Sequence, residues 1–528
     1  MYYQEAIITN ITQELNNTLP EAINAFLPEN SFQEVIYGKI IAIPSEFNLG
    51  NVSTDINRQI EVWNATTNQQ NLLSVDEAGF DGITLTGDKS GLLSANSSFQ
   101  YDLDVSSQGG ASINALISFN FDGLNYVPTI TITGSRIVLW GYRPDFSENP
   151  VVIYQYNTSI QTFYQGDESR YQNIIVPKMA MSSRYLHNKK DARKIQNIMN
   201  SVSAKDFLVP NYTKSLKLTE ATVIGSSIIK LDSVFDFEVG QFCFMGEFSD
   251  NYLLGEIISI DTINNELQLK DHVNKIFRAN QKVHPVYECR TSGQNSITKI
   301  TDEIIETNVE FNVIDNKVNT LKDNPDVVFN MFNGKILMDV RPNFVSLTDE
   351  YGVLLEDLNN GFGVNERIIQ EDEADIYFDY AFICKDEADI DYFKQFVFEN
   401  KGQLKDFWIP SYFNDMQLKE DITPTQTTLF IENNDHFSLG SDKQNRKALL
   451  LELTDGRKFV KEIVNFLPED DNVERVVLFS NFGEFISINQ VRRIEFVYNA
   501  RLNTDTLAIN NLTDTTALID LSFKTVKE

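Results

Sequence analysis

Four histidines are the first residues to weigh for chemistry: His187, His272, His284 and His436. None has a second histidine four positions on, so a helical zinc pair of the His-Glu-x-x-His kind cannot form. The chain has no Gly-x-Ser-x-Gly elbow and no phosphate-cradling loop followed by Lys-Ser/Thr. Cys243, Cys289 and Cys384 lie too far apart for a disulfide framework or a close-spaced zinc site, and read as free thiols. The acidic runs "EDEAD" (371–375) and "PEDD" (468–471) lack the ordered ligand spacing of a calcium loop and read as solvated faces and turns. With 75 acidic residues, a glycosidase-like carboxylate pair could be drawn almost anywhere, so it carries no signal. One charged motif does recur. Gly166, Glu168 and Arg170 are matched, with small shifts of register, by Gly363, Glu366 and Arg367. A Glu/Arg pair on a glycine-bearing turn is more simply an ion pair or turn brace than acid–base machinery. The sequence predicts no catalysis, no metal and no cofactor.

The recurring motif belongs to a longer repeat. "KDFLVPNYTKSLKLTE" (205–220) returns as "KDFWIPSYFNDMQLKE" (405–420), with seven of sixteen positions identical. Arg143-Pro144 matches Arg341-Pro342, and Phe146 matches Phe344. The ends agree as well: "ITDEIIETNVEFNVI" (300–314) aligns with "LTDTTALIDLSFKTV" (512–526). Two whole units are therefore expected, 140–315 and 338–528, joined by a linker at 316–337. Each opens with an extended pair of strands such as "VVIYQYNTSIQTFY". A helix follows, with Ile195, Ile198, Met199 and Val202 as one apolar stripe and Phe393, Phe396 and Val397 as the other, the second ending near Gly402. After the repeated phrase comes a β-rich insertion with hairpins at Asn264-Asn265 and at Asp455-Gly456, the latter a favoured type I′ pair.

The phrase itself reads as a junction. Phe207 and Phe407 begin an apolar strand, and Pro210 and Pro410 end its ladder because proline lacks an N–H. Tyr212 and Tyr412 then cover the joint between sandwich and insertion. The competing reading makes Trp408 and Tyr412 a ligand-stacking pair.

The first 34 residues carry helical spacing (Ile7, Ile8, Ile11, Leu15; then Ile23, Phe26, Leu27). From 35 to 139 the period is two: "RQIEVWNA", "GITLTG", "SFQYDLDV", "INALISFNFDG" and "PTITITGSRIVLW" are separated by turn phrases such as "DEAGFDG", "SQGG" and "FDGLN". This reads as an immunoglobulin-like β-sandwich in architecture, without the Cys…Trp…Cys signature. The fold class expected is thus mainly β with minor α: a helical segment, a sandwich, then two β-sandwich-plus-helix units, each carrying an inserted small β-barrel. The 37 Phe and 20 Tyr fit β-rich packing.

A net charge of −31 argues against wrapping nucleic acid, which needs a basic face, but suits a surface past which DNA slides. No run approaches the roughly 18 apolar residues of a membrane span, and no basic region precedes an apolar core at the N-terminus, so a soluble, unexported chain without membrane insertion is expected. The triplets "NAT" (64–66) and "NYT" (211–213) read as chance glycosylation matches in an Asn-rich chain.

"IEVWNA", "GITLTG", "ITGSRIVLW" followed by "RPDFS", the Gly-x-Glu-x-Arg turn, the Phe-apolar-apolar-Pro-x-Tyr phrase and "YNARL" (498–502) together resemble the tail-tip and baseplate structural proteins of long-tailed bacteriophages. Phe146 and Phe344 stand where Trp is common in that family, and the extra cysteines of some relatives are absent. The resemblance implies a non-catalytic virion component at the tail tip, made in the bacterial cytoplasm. It would be partnered by tail tube, hub and fibre proteins, with DNA only passing through its channel. A duplicated unit would let three chains form a pseudo-six-fold ring, with a hexamer as the alternative. A receptor- or carbohydrate-binding adhesin of the tail is the rival function.

Overall fold

The computed structural model describes residues 38–527 apart from 53–54, 107–111, 164–165, 203–205, 215, 249–250, 271, 274, 293–294, 317–326, 344–346, 354, 359–360, 362, 364, 370–372 and 441–442. The helical reading of 1–34, the "SQGG" turn, Phe344 and linker residues 317–326 lie outside the described residues; the rest of the expected linker holds the paired strands Asn330–Phe332 and Lys335–Leu337, and Leu337 faces Trp408 of the second repeat. The fold is mainly β with a small helical share. No described helix is long and apolar enough to cross a membrane. Packing divides the chain into two compact units, Met1–Leu139 and Trp140–Glu528.

In the first unit, one sheet orders Ile40–Ile43, Ile56–Asn64, Ser98–Val105 and Ile83–Thr86; the other orders Glu46–Val52, Thr129–Arg136, Ser112–Phe121, Gln70–Ala78 and Gly91–Leu93. The five quoted alternating segments each supply a strand, because period-two patterning puts one face inward. Ile60, Val62 and Leu103 of the first sheet share one core with Ile117, Phe119, Ile130 and Ile132 of the second. The "DEAGFDG" turn begins later than its composition implies, since Asp76–Ala78 still belong to a strand. That strand buries Leu72 and little else, so no alternation marked it. Gly79 takes over with φ +72°, where a Cβ would meet the Asn114 carbonyl oxygen at 2.3 Å. Asn64 of the "NAT" triplet is fully buried, its amide donating to the Leu93 and Ser94 carbonyls.

The second unit holds both repeats. In each, a long strand (Lys178–Asn188; Asp375–Cys384) pairs with the closing strand (Ile304–Val313; Ala517–Thr525) and runs on into a helix, α1 (Lys189–Val202) or α2 (Glu387–Asn400). Asp386 caps α2 by accepting from the Asp389 N–H at 3.0 Å. Left-handed Lys401 ends it, and the Lys401 and Gly402 amides bond back to Phe398 and Val397. The strands Phe207–Pro210 and Phe407–Pro410 follow and pair with Lys282–Thr291 and Val491–Leu502, Phe207 facing Cys289 and Phe407 facing Ala500. Each insertion departs and returns between those partners. In the first, strand pairing runs from Leu216–Lys217 through Lys282–Thr291, Phe242–Glu247, Asn251–Asp261 and Glu266–Leu269 to Ile228–Lys230, and a Leu218–Leu231 bridge brings it back to its start.

Two local expectations are corrected. The Asp455-Gly456 turn is not type I′, because only Gly456 is left-handed (φ +91°). Its amide bonds the Leu453 carbonyl while the Leu453 N–H bonds Arg457, a three-residue loop closed by the left-handed glycine. The opening "pair" Val151–Gln155 and Thr158–Thr162 do not pair with each other. The first joins the main sheet, and the second forms a separate hairpin arm with Glu168–Gln172.

Candidate functional site: the seam between the repeats

Val151–Gln155 alternates half-buried and buried residues up to an exposed Gln155, and both of its edges are paired. On one edge Val151 faces Ser182 of its own repeat; on the other it faces Asn510 of the second repeat, with five residue pairs on each side. One sheet therefore continues from repeat to repeat. The buried Tyr154 and Tyr156 rings meet Phe398, at the end of α2, edge-on at 5.3 and 6.0 Å. Asp505 holds the start of the arm: its carboxylate accepts from the Thr158 N–H and hydroxyl at 2.6 and 2.9 Å, and from the Gln403 N–H at 3.0 Å.

The arm then delivers Glu168 and Arg170, two residues apart and so on one face. Glu168 is 2% exposed. Arg501 grips its carboxylate with two bonds of 2.7 and 2.8 Å, Lys524 adds one of 2.9 Å, and Arg170 lies 3.7 Å away. Arg170 reaches on to Asp406 at 2.5 Å and donates to the Leu404 carbonyl at 3.0 Å. Lys524 completes the chain with Asp375 at 2.9 Å. Burial alone would raise the Glu168 pKa, but the hydrogen bonds and charges of Arg501 and Lys524 outweigh it and hold the carboxyl at about 2. Burial likewise works against the Lys524 ammonium, yet Asp375 and Glu168 raise its pKa. Lys214 of the first repeat adds a second ionic contact, to Glu387 and Asp391 of α2 at 2.8 and 2.9 Å, and Lys282 pairs with Asp514. The charges are matched across the two repeats, most deeply at Glu168 and Arg501, and the arrangement fastens the repeats together.

The matched motif behaves differently in the second repeat. Gly166 and Gly363 are both left-handed (φ +87° and +89°), so the turn does recur. Glu366 and Arg367, however, are adjacent and point to opposite faces of an exposed arm, Leu355–Leu358 with Glu366–Ile369. Among the described residues, Arg367 pairs only across that arm, with Asp357 at 2.7 and 3.0 Å. Arg341 binds the buried Glu452 at 2.6 Å, whereas Arg143 lies exposed beside a cleft with Tyr212 and His284. Pro144 and Pro342 are both buried. At the junctions, Phe207, Pro210, Phe407 and Pro410 are buried strand residues. The Tyr212 hydroxyl donates to the Gly141 carbonyl at 2.6 Å, and Tyr412 to Met338 at 2.9 Å. Trp408 (5% exposed) packs edge-on against Phe332 at 5.4 Å, with Leu450 and Val497 around it. Both Trp408 and Tyr412 are buried, so the ligand-stacking reading of that pair fails for lack of an open ring face.

His187, His284 and His436 are buried, and burial lowers the pKa of each, the first two to about 4. His187 meets the Thr307 hydroxyl and His284 the Lys214 carbonyl, both structural partners. All three cysteines are buried. Among the described residues, no group of three His, Cys, Asp or Glu side chains could hold a metal ion. Asp375 of "EDEAD" is buried and ion-paired, not part of a solvated face. Asn211 of "NYT" is also buried. No protein-family model matches the chain, and no curated protein is significantly similar to it. Sequence reasoning gave no seam role to Asp375, Asp406, Arg501, Asp505 and Lys524, the second repeat's half of the seam. The one visible signal, for Arg501 and Lys524, was charge inside apolar strands, in "YNARL" and "LSFKTV".

Proposed function

We propose that the chain is a non-catalytic structural component of a bacteriophage virion, a tail-tip or baseplate protein that assembles with tail tube and hub. Within this reading the N-terminal unit is an immunoglobulin-like sandwich, supported by its two sheets around one core. Each repeat is a β-sandwich with one packed helix, and its insertion is a small barrel, supported by the strand path that returns on itself. Three chains supply six such repeats in a pseudo-six-fold ring that bridges a six-fold tube and a three-fold hub. The acidic excess then faces the channel, where DNA slides without sticking.

The observation that carries this reading is the Val151–Gln155 strand, paired at once to its own repeat and to the next. Sheet continuation between like units is how rings of repeated β-domains close without leaving edges. Native mass spectrometry with negative-stain microscopy of the purified chain tests it. Trimeric rings with a central opening are expected. A true hexamer removes the symmetry bridge, and separate elongated monomers overturn the ring and favour the adhesin.

A further inference from the structure

The seam inside the chain has two halves, and each half has an unused counterpart. Val151–Gln155 corresponds to Thr348–Gly352: Val151 faces Ser182 as Thr348 faces Asp379, each on its repeat's long strand. The other edge of Thr348–Gly352 has no strand partner among the described residues. Thr506–Asn511 corresponds to Ser296–Lys299: Ile509 and Ile297 each lie opposite the closing strand of their repeat, facing Ile519 and Thr307. Its outer edge is likewise unpaired among the described residues. Tyr154, 4% exposed in the internal seam, has Tyr351 as its counterpart, 68% exposed.

The charges repeat with the geometry. Arg170 and Asp406, ion-paired internally, correspond to Arg367 and Asp206. Arg501, facing Lys524, corresponds to Arg290, facing Asn312. Where the internal seam buries Glu168 against Lys524, the free surfaces present Asn365 and Asn312, so both members of that ion pair are neutral together. A lone substitution on either side would leave a buried charge without its partner.

We infer that the second repeat's Thr348–Gly352 edge and its Leu355–Leu358/Glu366–Ile369 arm dock on the first repeat of a second copy of this chain, reproducing the internal seam between molecules. Carrying over the internal register pairs Thr348 with Thr298, Asp349 with Ile297 and Glu350 with Ser296, antiparallel. Arg367 leaves Asp357 for the second copy's Asp206, which gives up Arg290 to the Asn365–Glu366 corner of the arm. The contact is head-to-tail, so it builds closed rings or open filaments, never an isolated two-fold dimer. This inference rests on the self-assembly in the reading above, and not on the tail assignment.

Two full-length variants test it, Glu350→Cys and Ser296→Cys, both at exposed positions, in a chain whose own cysteines are all buried. Mixed under mild oxidation, they are expected to give a disulfide-linked pair of chains that neither gives alone. Arg367→Glu, on an exposed side chain, is expected to weaken self-association by about thirtyfold or more in sedimentation equilibrium. Oligomers that persist without the mixed product and are unmoved by Arg367→Glu overturn this joint while leaving ring assembly standing. A chain that stays monomeric at every concentration overturns both.

Discussion

The two hairpin arms are nearly the same sequence device in opposite circumstances. The first, carrying Glu168 and Arg170, is clamped by Arg501, Lys524, Asp406 and Asp505. The second, carrying Glu366 and Arg367, has exposed strands and, among the described residues, is braced only by its own Asp357. The difference teaches that the motif is an attachment device rather than a turn brace. Its energetic weight depends on whether partners of opposite charge are present, and not on the motif alone.

The largest effects should fall where both repeats are packed alike. Trp408→Ala should lower stability by about 3–5 kcal/mol in urea unfolding, and Leu208→Ala, at the matching position, by about 2–5 kcal/mol. A Trp408 variant that melts like the wild type would break the equivalence of the two junctions. Next come the arms themselves. Glu168→Gln should cost about 3 kcal/mol, because it leaves Arg501 and Lys524 buried against a neutral group. Glu366→Gln should stay within about 0.5 kcal/mol. Equal costs would erase the contrast between docked and exposed arms.

Acid titration sharpens the same contrast. Glu168 is held at about 2, below an ordinary glutamate near 4.5. Between those values the unfolded chain binds a proton that the folded chain refuses. The Glu168 contribution is therefore complete above pH 4.5 and is lost as pH falls toward 2. Glu495 runs the other way: burial outweighs the nearby Arg493 and pushes its carboxyl up to about 7. There the folded chain keeps a proton the unfolded chain releases, so that contribution is complete below pH 4.5 and lost as pH rises through 7. Glu168→Gln should flatten the acid side of the stability profile and Glu495→Gln the neutral side, each leaving the other slope in place. The smallest effect belongs to Tyr351→Ala, within about 0.5 kcal/mol for the isolated chain. A large loss there would show that the exposed edge is already covered.

Much of the β organisation was legible because it is written in period two and in the repeat. "SFQYDLDV" and "INALISFNFDG" are strands since every second side chain must find the core. The Pro-x-Tyr phrase marks a junction since Pro210 and Pro410 close their strands. The Gln70–Ala78 strand was not legible, because with Leu72 as its one buried residue it leaves no alternation to read. The seam was half legible. Glu168 and Arg170 stood out by recurring, but their partners lie hundreds of positions away, Asp406 just ahead of a strand and Arg501 and Lys524 on strands whose local pattern only demands apolar neighbours. The shift of Glu366 by one position looked like tolerable slippage. On a strand it moves the side chain to the opposite face, so the resemblance in letters conceals a change in what the arm can hold.

The internal seam also sets a timetable. Thr158 and its anchor Asp505 are 347 positions apart. On a ribosome adding about 5–20 residues per second, the first arm and the Val151–Gln155 edge wait roughly 20–70 s for the strand that covers them. Throughout that interval a nascent chain presents the same kind of edge that Thr348–Gly352 keeps, unpaired among the described residues, in the finished protein. Neighbouring nascent chains on one messenger are then exposed to premature partnering, and slowing elongation through 320–500 should raise the yield of misjoined chains.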